Sequence, residues 1–173
     1  MTSTTTRLND VDFAAVGGLI EKVRSQPDVG ATTWQADVRW TGAFRSEAHV
    51  RDFAPVVSDE PPALGGTDLG PNPVEQLLGA LGNCLAVGYA ANATAAGIEL
   101  RELQIRFEGD LDLHTFLGLA DGNAGYEQIR AIVHIDSDAS AEQLADLHAR
   151  VVATSPVGHT LSRAVPVQID LAG

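Results

Sequence analysis

The sequence predicts a single α+β domain, and three observations lead to this fold class. Segments with alternating polar and apolar residues, which are typical of strands, flank one long helical segment. These segments do not follow a regular strand–helix–strand order, so a doubly wound parallel sheet is not expected. The chain has 173 residues, which is the size of one ordinary domain with one hydrophobic core.

The composition limits which partners and which cellular compartment we expect for this protein. Eleven basic against 23 acidic residues give a net charge of −12, which repels phosphate groups and anionic lipid, so nucleic acids and membranes are not expected partners. Cys84 is the only cysteine, which excludes an intrachain disulfide and a multi-thiolate zinc site and favours the cytoplasm. No secretory signal is expected in the N-terminal ten residues, and the uncharged segment 76–98 is too polar to span a membrane.

The N-terminal part is expected to contain one helix, one hairpin and one loop. Residues 1–30 form a helical extension with a helix near residues 10–24, because Val16, Ile20 and Val23 follow helical spacing. Residues 31–53 alternate and predict a β-hairpin with one apolar and one ionisable face. The segment 54–72 is dense in proline, glycine and aspartate, which predicts a long loop with a functional role.

The clearest predicted element is a helix over residues 73–97. Asn72 is a good N-cap, Pro73 suits the first turn, and Glu75 stands at the third position, as in a capping box. The helix carries no charge after Glu75, which predicts burial on all sides. Its small residues allow a second backbone to approach closely, so we predict a homodimer.

The C-terminal part, residues 101–173, is expected to contain both strands and helices. A strand is expected over residues 103–114 and another over 129–135, joined by a glycine-rich connection. Ser140 is expected to cap a helix over residues 141–152. A short helix follows Pro156, and the chain ends in an alternating strand over residues 165–171.

The loop and the central helix resemble the OsmC-like family of osmotically induced and organic hydroperoxide resistance proteins. The resemblance extends from about residue 33 onward, and it is carried by Asp59-Glu60-Pro61, Leu64-Gly65-Gly66, Gly70-Pro71-Asn72-Pro73, EQLLGALGNC at residues 75–84, and Ser155-Pro156-Val157 followed by Leu161 and Val165. It implies an intertwined α+β homodimer with a central helix pair and two active sites at the subunit interface. In the best-known members, an arginine and a glutamate keep a peroxidatic cysteine ionised. That cysteine attacks an organic hydroperoxide, and a second cysteine then closes a disulfide.

The resemblance assigns catalytic roles to three residues of this chain. Cys84 matches the peroxidatic cysteine, and Arg45 matches the activating arginine. Glu75 is the candidate carboxylate, but the family's glutamate directly follows the Asn-Pro pair, where this chain has Val74; one residue of shift turns a helical side chain by about 100°. Ser155 replaces the resolving cysteine, as in a less studied branch of the family, and a hydroxyl cannot form a disulfide.

Each candidate also has a purely structural interpretation. Cys84 can be a small core residue on an apolar stripe, Arg45 shares its strand face with other charged residues, and Glu75 can serve only as a cap. The histidines show no ligand spacing, so no metal or cofactor is expected, although a metal site across a dimer interface stays open. Ser155 and His159 lack a nucleophile elbow, and Ser155-Pro156 is expected to start a helix.

Three functions of different classes follow. The first is a thiol peroxidase that uses only Cys84 in defence against oxidative stress; its sulfenic acid is reduced by an external thiol. The second is a binding module whose dimer cleft holds a small apolar or electrophilic ligand, with Cys84 only lining that cleft. The third is an interaction protein that keeps the scaffold and has neither property.

Overall fold

The computed structural model describes residues 7–171. The first six residues of the expected N-terminal extension, which include most of the segment considered for a secretory signal, and the last two residues lie outside the described residues. The described chain divides into two compact units: one comprises residues 14–79, and the other joins residues 7–13 to residues 80–171. No described helix is long and apolar enough to cross a membrane.

The unit of residues 14–79 contains a three-stranded antiparallel sheet in the order β1-β2-β3. Helix α1 spans Phe13–Ser25, and the strands are β1 (Asp37–Gly42), β2 (Arg45–His49) and β3 (Val56–Ser58). The expected helix and hairpin are therefore confirmed, but the expected loop over 54–72 is interrupted by β3, which pairs with β2. A strand of three residues is too short to show a period in the sequence, so only its pairing reveals it.

Asp59 organises the remainder of that loop. Its side chain is 1% exposed and accepts hydrogen bonds from the backbone N–H groups of Glu60, Thr67 and Leu69 and from the Thr67 hydroxyl. The Thr67 hydroxyl contributes most to holding the pKa of Asp59 below its ordinary value, and burial opposes this effect. One ionised side chain thus replaces the regular secondary structure that this segment lacks.

The long helix α2 spans Pro73–Ala95. The side chain of Asn72 accepts the N–H of Glu75, and the carboxylate of Glu75 accepts the N–H of Asn72, both at 2.9 Å, which confirms the expected capping box. In the single chain, the helix is not buried on all sides as the sequence predicted. Tyr89 is fully buried, whereas Val87 is 71% exposed, because the described chain packs against one side of this helix.

The second unit contains a two-stranded antiparallel sheet and three helices after α2. Strand β4 (Glu102–Asp110) pairs with β5 (Gln128–Asp136). The helices are α3 (Leu113–Phe116), α4 (Ala141–Thr154) and α5 (Pro156–Leu161). Strand β4 ends four residues earlier than expected, because the Asp112 side chain accepts the N–H of His114 and starts α3. The Ser140 cap of α4 is confirmed.

The core of this unit forms where α4 packs on α2. Tyr89 and Ala93 from α2 meet Leu147 and Val151 from α4, and all four side chains are buried. Asn9 fixes the segment that follows α2, since its side-chain amide donates to the Ile98 carbonyl at 2.9 Å and accepts the N–H of Leu100 at 2.8 Å. A residue about 90 positions upstream therefore pairs backbone groups of the segment that follows the helix.

The last strand expected from the sequence does not form within residues 7–171. The segment 164–171 pairs with no described strand, and Val167, Ile169 and Leu171 are 78%, 89% and 98% exposed. Alternation marks a chain that can enter a sheet, but a neighbouring strand has to supply the hydrogen bonds.

Candidate functional site

Cys84 lies in the middle of α2 and is partly buried. Its sulfur faces the junction between α4 and α5, where the Sγ atom lies 3.3 Å from the Ser155 Oγ atom. The two residues are 71 positions apart in the sequence, so only the tertiary structure brings them into contact. The residue that the family resemblance places at the resolving position is thus the direct neighbour of the thiol.

Ser155 is held firmly at this junction. It ends α4, forms the N-cap of α5, and is 5% exposed. Its Oγ atom accepts a hydrogen bond from the N–H of Gly158 at 3.1 Å, which confirms that Ser155-Pro156 starts a helix. Because this cap fixes the side-chain direction, the same oxygen is also directed at Cys84.

Close packing of α4 against α2 sets the distance between Ser155 and Cys84. A β-carbon at Gly88 would lie 3.0 Å from the Val151 Cγ1 atom, so glycine lets the two helices approach closely here. The Tyr89 hydroxyl and the His148 Nδ1 atom share a short hydrogen bond, and their rings stack at 6.2 Å between centroids. Burial raises the pKa of Tyr89, so this residue stays a neutral phenol at physiological pH.

An apolar cleft of about 430 Å³ opens beside the thiol. Helix α2 forms one wall, and the C-terminal turn of α4 with the start of α5 forms the other. The cleft is lined by Asn83, Cys84, Val87, Gly88, Ala91, Val151, Thr154, Ser155 and Pro156. A cleft with few polar groups around one sulfur suits a small ligand with an apolar body.

Arg45 and Glu75 belong to the unit of residues 14–79, whereas Cys84 and Ser155 belong to the other unit. Arg45 begins β2, where its Nε atom donates to the Gly42 carbonyl at 3.4 Å. Glu75 forms the capping box of α2. The structure brings Cys84 and Ser155 together within one unit, and the catalytic roles of Arg45 and Glu75 stay predictions from the resemblance.

Sequence reasoning missed the cleft walls and the Tyr89–His148 contact. Val87, Gly88 and Ala91 follow Cys84 at helical spacing, and this signal could have marked one lining face. Tyr89 and His148 are 59 positions apart, and no local pattern connects them. Within the described part of the chain, no group of three or more histidine, cysteine, aspartate or glutamate side chains is placed to hold a metal ion.

Comparisons with known proteins agree with this architecture. The chain has the same fold as an OsmC-like protein from Mycoplasma pneumoniae, with a TM-score of 0.66, 20% identity, and coverage of 76% of this chain and 88% of that one. The organic hydroperoxide resistance protein OsmC from Legionella pneumophila matches with a TM-score of 0.55, 15% identity, and coverage of 76% and 91%.

A third solved structure carries a ligand. It is the structure of a Vibrio cholerae protein that is assigned to organic hydroperoxide resistance, with captopril bound in one of the active sites. It matches with a TM-score of 0.56, 14% identity, and coverage of 76% of this chain and 86% of that one. No curated protein matches this chain. The family model for OsmC-like protein matches residues 66–170, more than half of the chain. The chain belongs to the OsmC-like protein family.

Proposed function

We propose that this protein is a single-cysteine thiol peroxidase that reduces organic hydroperoxides in defence against oxidative stress. The observation that carries the proposal is the position of Cys84, whose sulfur borders an apolar cleft of about 430 Å³ and contacts the hydroxyl of Ser155. The cleft can hold the organic part of a hydroperoxide while its O–O group meets the sulfur.

The reaction has two stages. The Cys84 thiolate attacks the terminal peroxide oxygen, the O–O bond breaks, and the leaving alkoxide takes a proton to become an alcohol. Cys84 is oxidised to a sulfenic acid, and the hydroperoxide is reduced. One external thiol then displaces water to give a mixed disulfide, and a second external thiol releases reduced Cys84 together with the oxidised external disulfide. A reducing compartment such as the cytoplasm supplies these thiols.

Arg45 and Glu75 enter the proposal through the family resemblance. A guanidinium beside the sulfur would hold both the thiolate and a peroxide oxygen by charge-assisted hydrogen bonds. We assign this role to Arg45. Glu75 would orient that guanidinium, and its place in the capping box makes it the weaker of the two assignments. Arg45→Ala is accordingly expected to slow peroxide reduction more than Glu75→Gln.

The active protein is proposed to be a homodimer. Large apolar side chains are exposed in the single chain, among them Trp34, Trp40, Val87 and Ile169 at 82%, 76%, 71% and 89%. Soluble proteins rarely leave so many uncovered. The unpaired, alternating segment 164–171 can obtain the hydrogen bonds of a strand from a second copy.

Ile169→Asp tests the homodimer. A charge at a buried interface is costly, so the variant is expected to elute as a monomer in size-exclusion chromatography with light scattering. Gln168→Asp, which adds the same charge at the neighbouring position of the alternating segment, is the matched control and should remain dimeric. A wild-type protein that elutes as a monomer at micromolar concentration would contradict the proposal.

A binding module is the second candidate, and the apolar lining of the cleft favours it. In this case a small apolar or electrophilic molecule occupies the cleft, and Cys84 is only part of the wall. The captopril in an active site of the Vibrio cholerae protein is compatible with such binding. This candidate predicts that apolar compounds raise the melting temperature and that no peroxide is consumed.

One experiment separates the two candidates. Reduced protein is mixed with one equivalent of cumene hydroperoxide and analysed by intact mass spectrometry, with Cys84→Ser as the matched control. The peroxidase predicts a rapid gain of one oxygen that dimedone traps and that Cys84→Ser lacks. If excess peroxide leaves the mass unchanged, the peroxidase proposal fails and the binding module remains.

A further inference from the structure

We infer that Ser155 is a positioning residue for the Cys84 thiol: its hydroxyl donates a hydrogen bond to the sulfur and favours the thiolate form. This inference rests on the proposed function, since it concerns the sulfur that attacks the peroxide. The family resemblance treats this position only as the place of a lost resolving cysteine. The contacts of Ser155 support a role of its own.

The hydrogen-bond capacity of Ser155 leaves its hydroxyl proton available for the Cys84 sulfur. A serine hydroxyl has one proton to donate and two lone pairs that accept. The N–H of Gly158 occupies a lone pair of the oxygen at 3.1 Å, and the nearest side-chain partner for the proton is the Cys84 sulfur at 3.3 Å. Because Ser155 is 5% exposed, solvent competes little for that proton.

The protonation state of Cys84 determines how strong this contact is. A thiol can donate or accept toward the hydroxyl, and the bond in either direction is weak. A thiolate can only accept, and the bond from the hydroxyl then becomes charge-assisted. The contact therefore stabilises the ionised sulfur more than the neutral one.

Within this unit, Ser155 is the polar residue whose side chain contacts the Cys84 sulfur. No ionisable side chain other than Cys84 lines the cleft in the described chain. The ionisable residues of α4 and α5 are outside the lining, namely Glu142, Asp146, His148, Arg150 and His159. The fixed rotamer of Ser155 follows from its cap on α5, where a β-carbon at Gly158 would lie only 2.9 Å from the Oγ atom.

The test measures the alkylation of Cys84 by iodoacetamide as a function of pH, followed by intact mass in the absence of peroxide. Only the thiolate reacts, so the midpoint of the rate profile reports its formation. Ser155→Ala is expected to move that midpoint upward by about one pH unit, equal to a tenfold lower rate on the acidic limb. Ser155→Thr keeps the hydroxyl and should restore the wild-type midpoint.

Thr160→Ala is the matched control. It removes a hydroxyl from α5 whose one partner among residues 7–171 is the Pro156 carbonyl at 2.9 Å, so its profile should match the wild type. Identical midpoints for the wild type and Ser155→Ala would overturn the inference. If the midpoint moves and wild-type protein still consumes no cumene hydroperoxide, the proposed function fails and the role of Ser155 stands.

Discussion

Replacing Ser155 by cysteine should restore a resolving cysteine to this protein. The Ser155 Oγ atom lies 3.3 Å from the Cys84 sulfur, and a disulfide requires about 2.05 Å between two sulfurs. The longer C–S bond of cysteine closes part of this gap, and small side-chain rotations close the remainder. In Ser155→Cys, mild oxidation is therefore expected to form a disulfide between positions 84 and 155.

The stabilising effect of this disulfide follows from the length of the loop that it closes. For two residues 71 positions apart, the loss of chain entropy in the unfolded state corresponds to about 4 kcal/mol at 25 °C. Loss of the Ser155 cap on α5 costs about 1 kcal/mol. Relative to the wild type, the oxidised variant therefore gains about 3 kcal/mol. Its reduced form also lacks the cap, so the full effect of about 4 kcal/mol separates the two forms and should raise the melting temperature by roughly 12 °C on oxidation.

Intact mass and thermal unfolding check this prediction. Diamide treatment should remove two hydrogens from Ser155→Cys, and both free thiols should disappear from a labelling assay. The double variant Cys84→Ser/Ser155→Cys has a single thiol and serves as the control. If oxidised Ser155→Cys keeps two free thiols in its folded state, the contact between these positions is refuted, and the argument about Ser155 falls with it.

Three further predictions concern stability. Glycine at position 9 tolerates the positive φ of 52°, but Asn9→Gly loses the hydrogen bonds to Ile98 and Leu100. Urea titration should therefore show a free energy of unfolding that is lower by about 2 kcal/mol. An unchanged unfolding midpoint would contradict this anchoring role. The pKa of Asp59 is lowered in the folded protein, so its ionised form stabilises the fold fully above about pH 4, the pKa of an aspartate in the unfolded chain. This stabilisation is lost as the pH falls through the lower pKa that Asp59 has in the folded protein. The difference in the free energy of unfolding between wild type and Asp59→Asn should therefore be larger at pH 7 than at pH 3. An equal difference at both pH values would refute this role of Asp59. Gly88→Ala introduces a β-carbon 3.0 Å from a side-chain atom of Val151. Calorimetry should therefore show that the variant is destabilised by about 1–3 kcal/mol. A higher melting temperature would show that α4 does not approach α2 closely.

Local patterns were sufficient for the elements whose signals lie within a few residues. The capping box of Asn72 and Glu75 and the cap at Ser140 formed as the sequence indicated, because the partners are three residues apart and helix geometry alone brings them together. The ends of strands were less predictable. Strand β4 stops where the Asp112 side chain captures a backbone N–H, and this competition leaves no trace in the alternation.

The sequence by itself determined the family motifs, the long helix without charge after Glu75 and the single thiol at position 84, since each depends on residue identity and short spacing. Only the tertiary structure decided that the thiol meets Ser155, that Gly88 allows this approach, and that an apolar cleft opens beside the sulfur. The physical reason is distance along the chain. Contacts across 71 residues depend on how α4 packs against α2, and close packing between helices is a property of the whole core rather than of any local pattern.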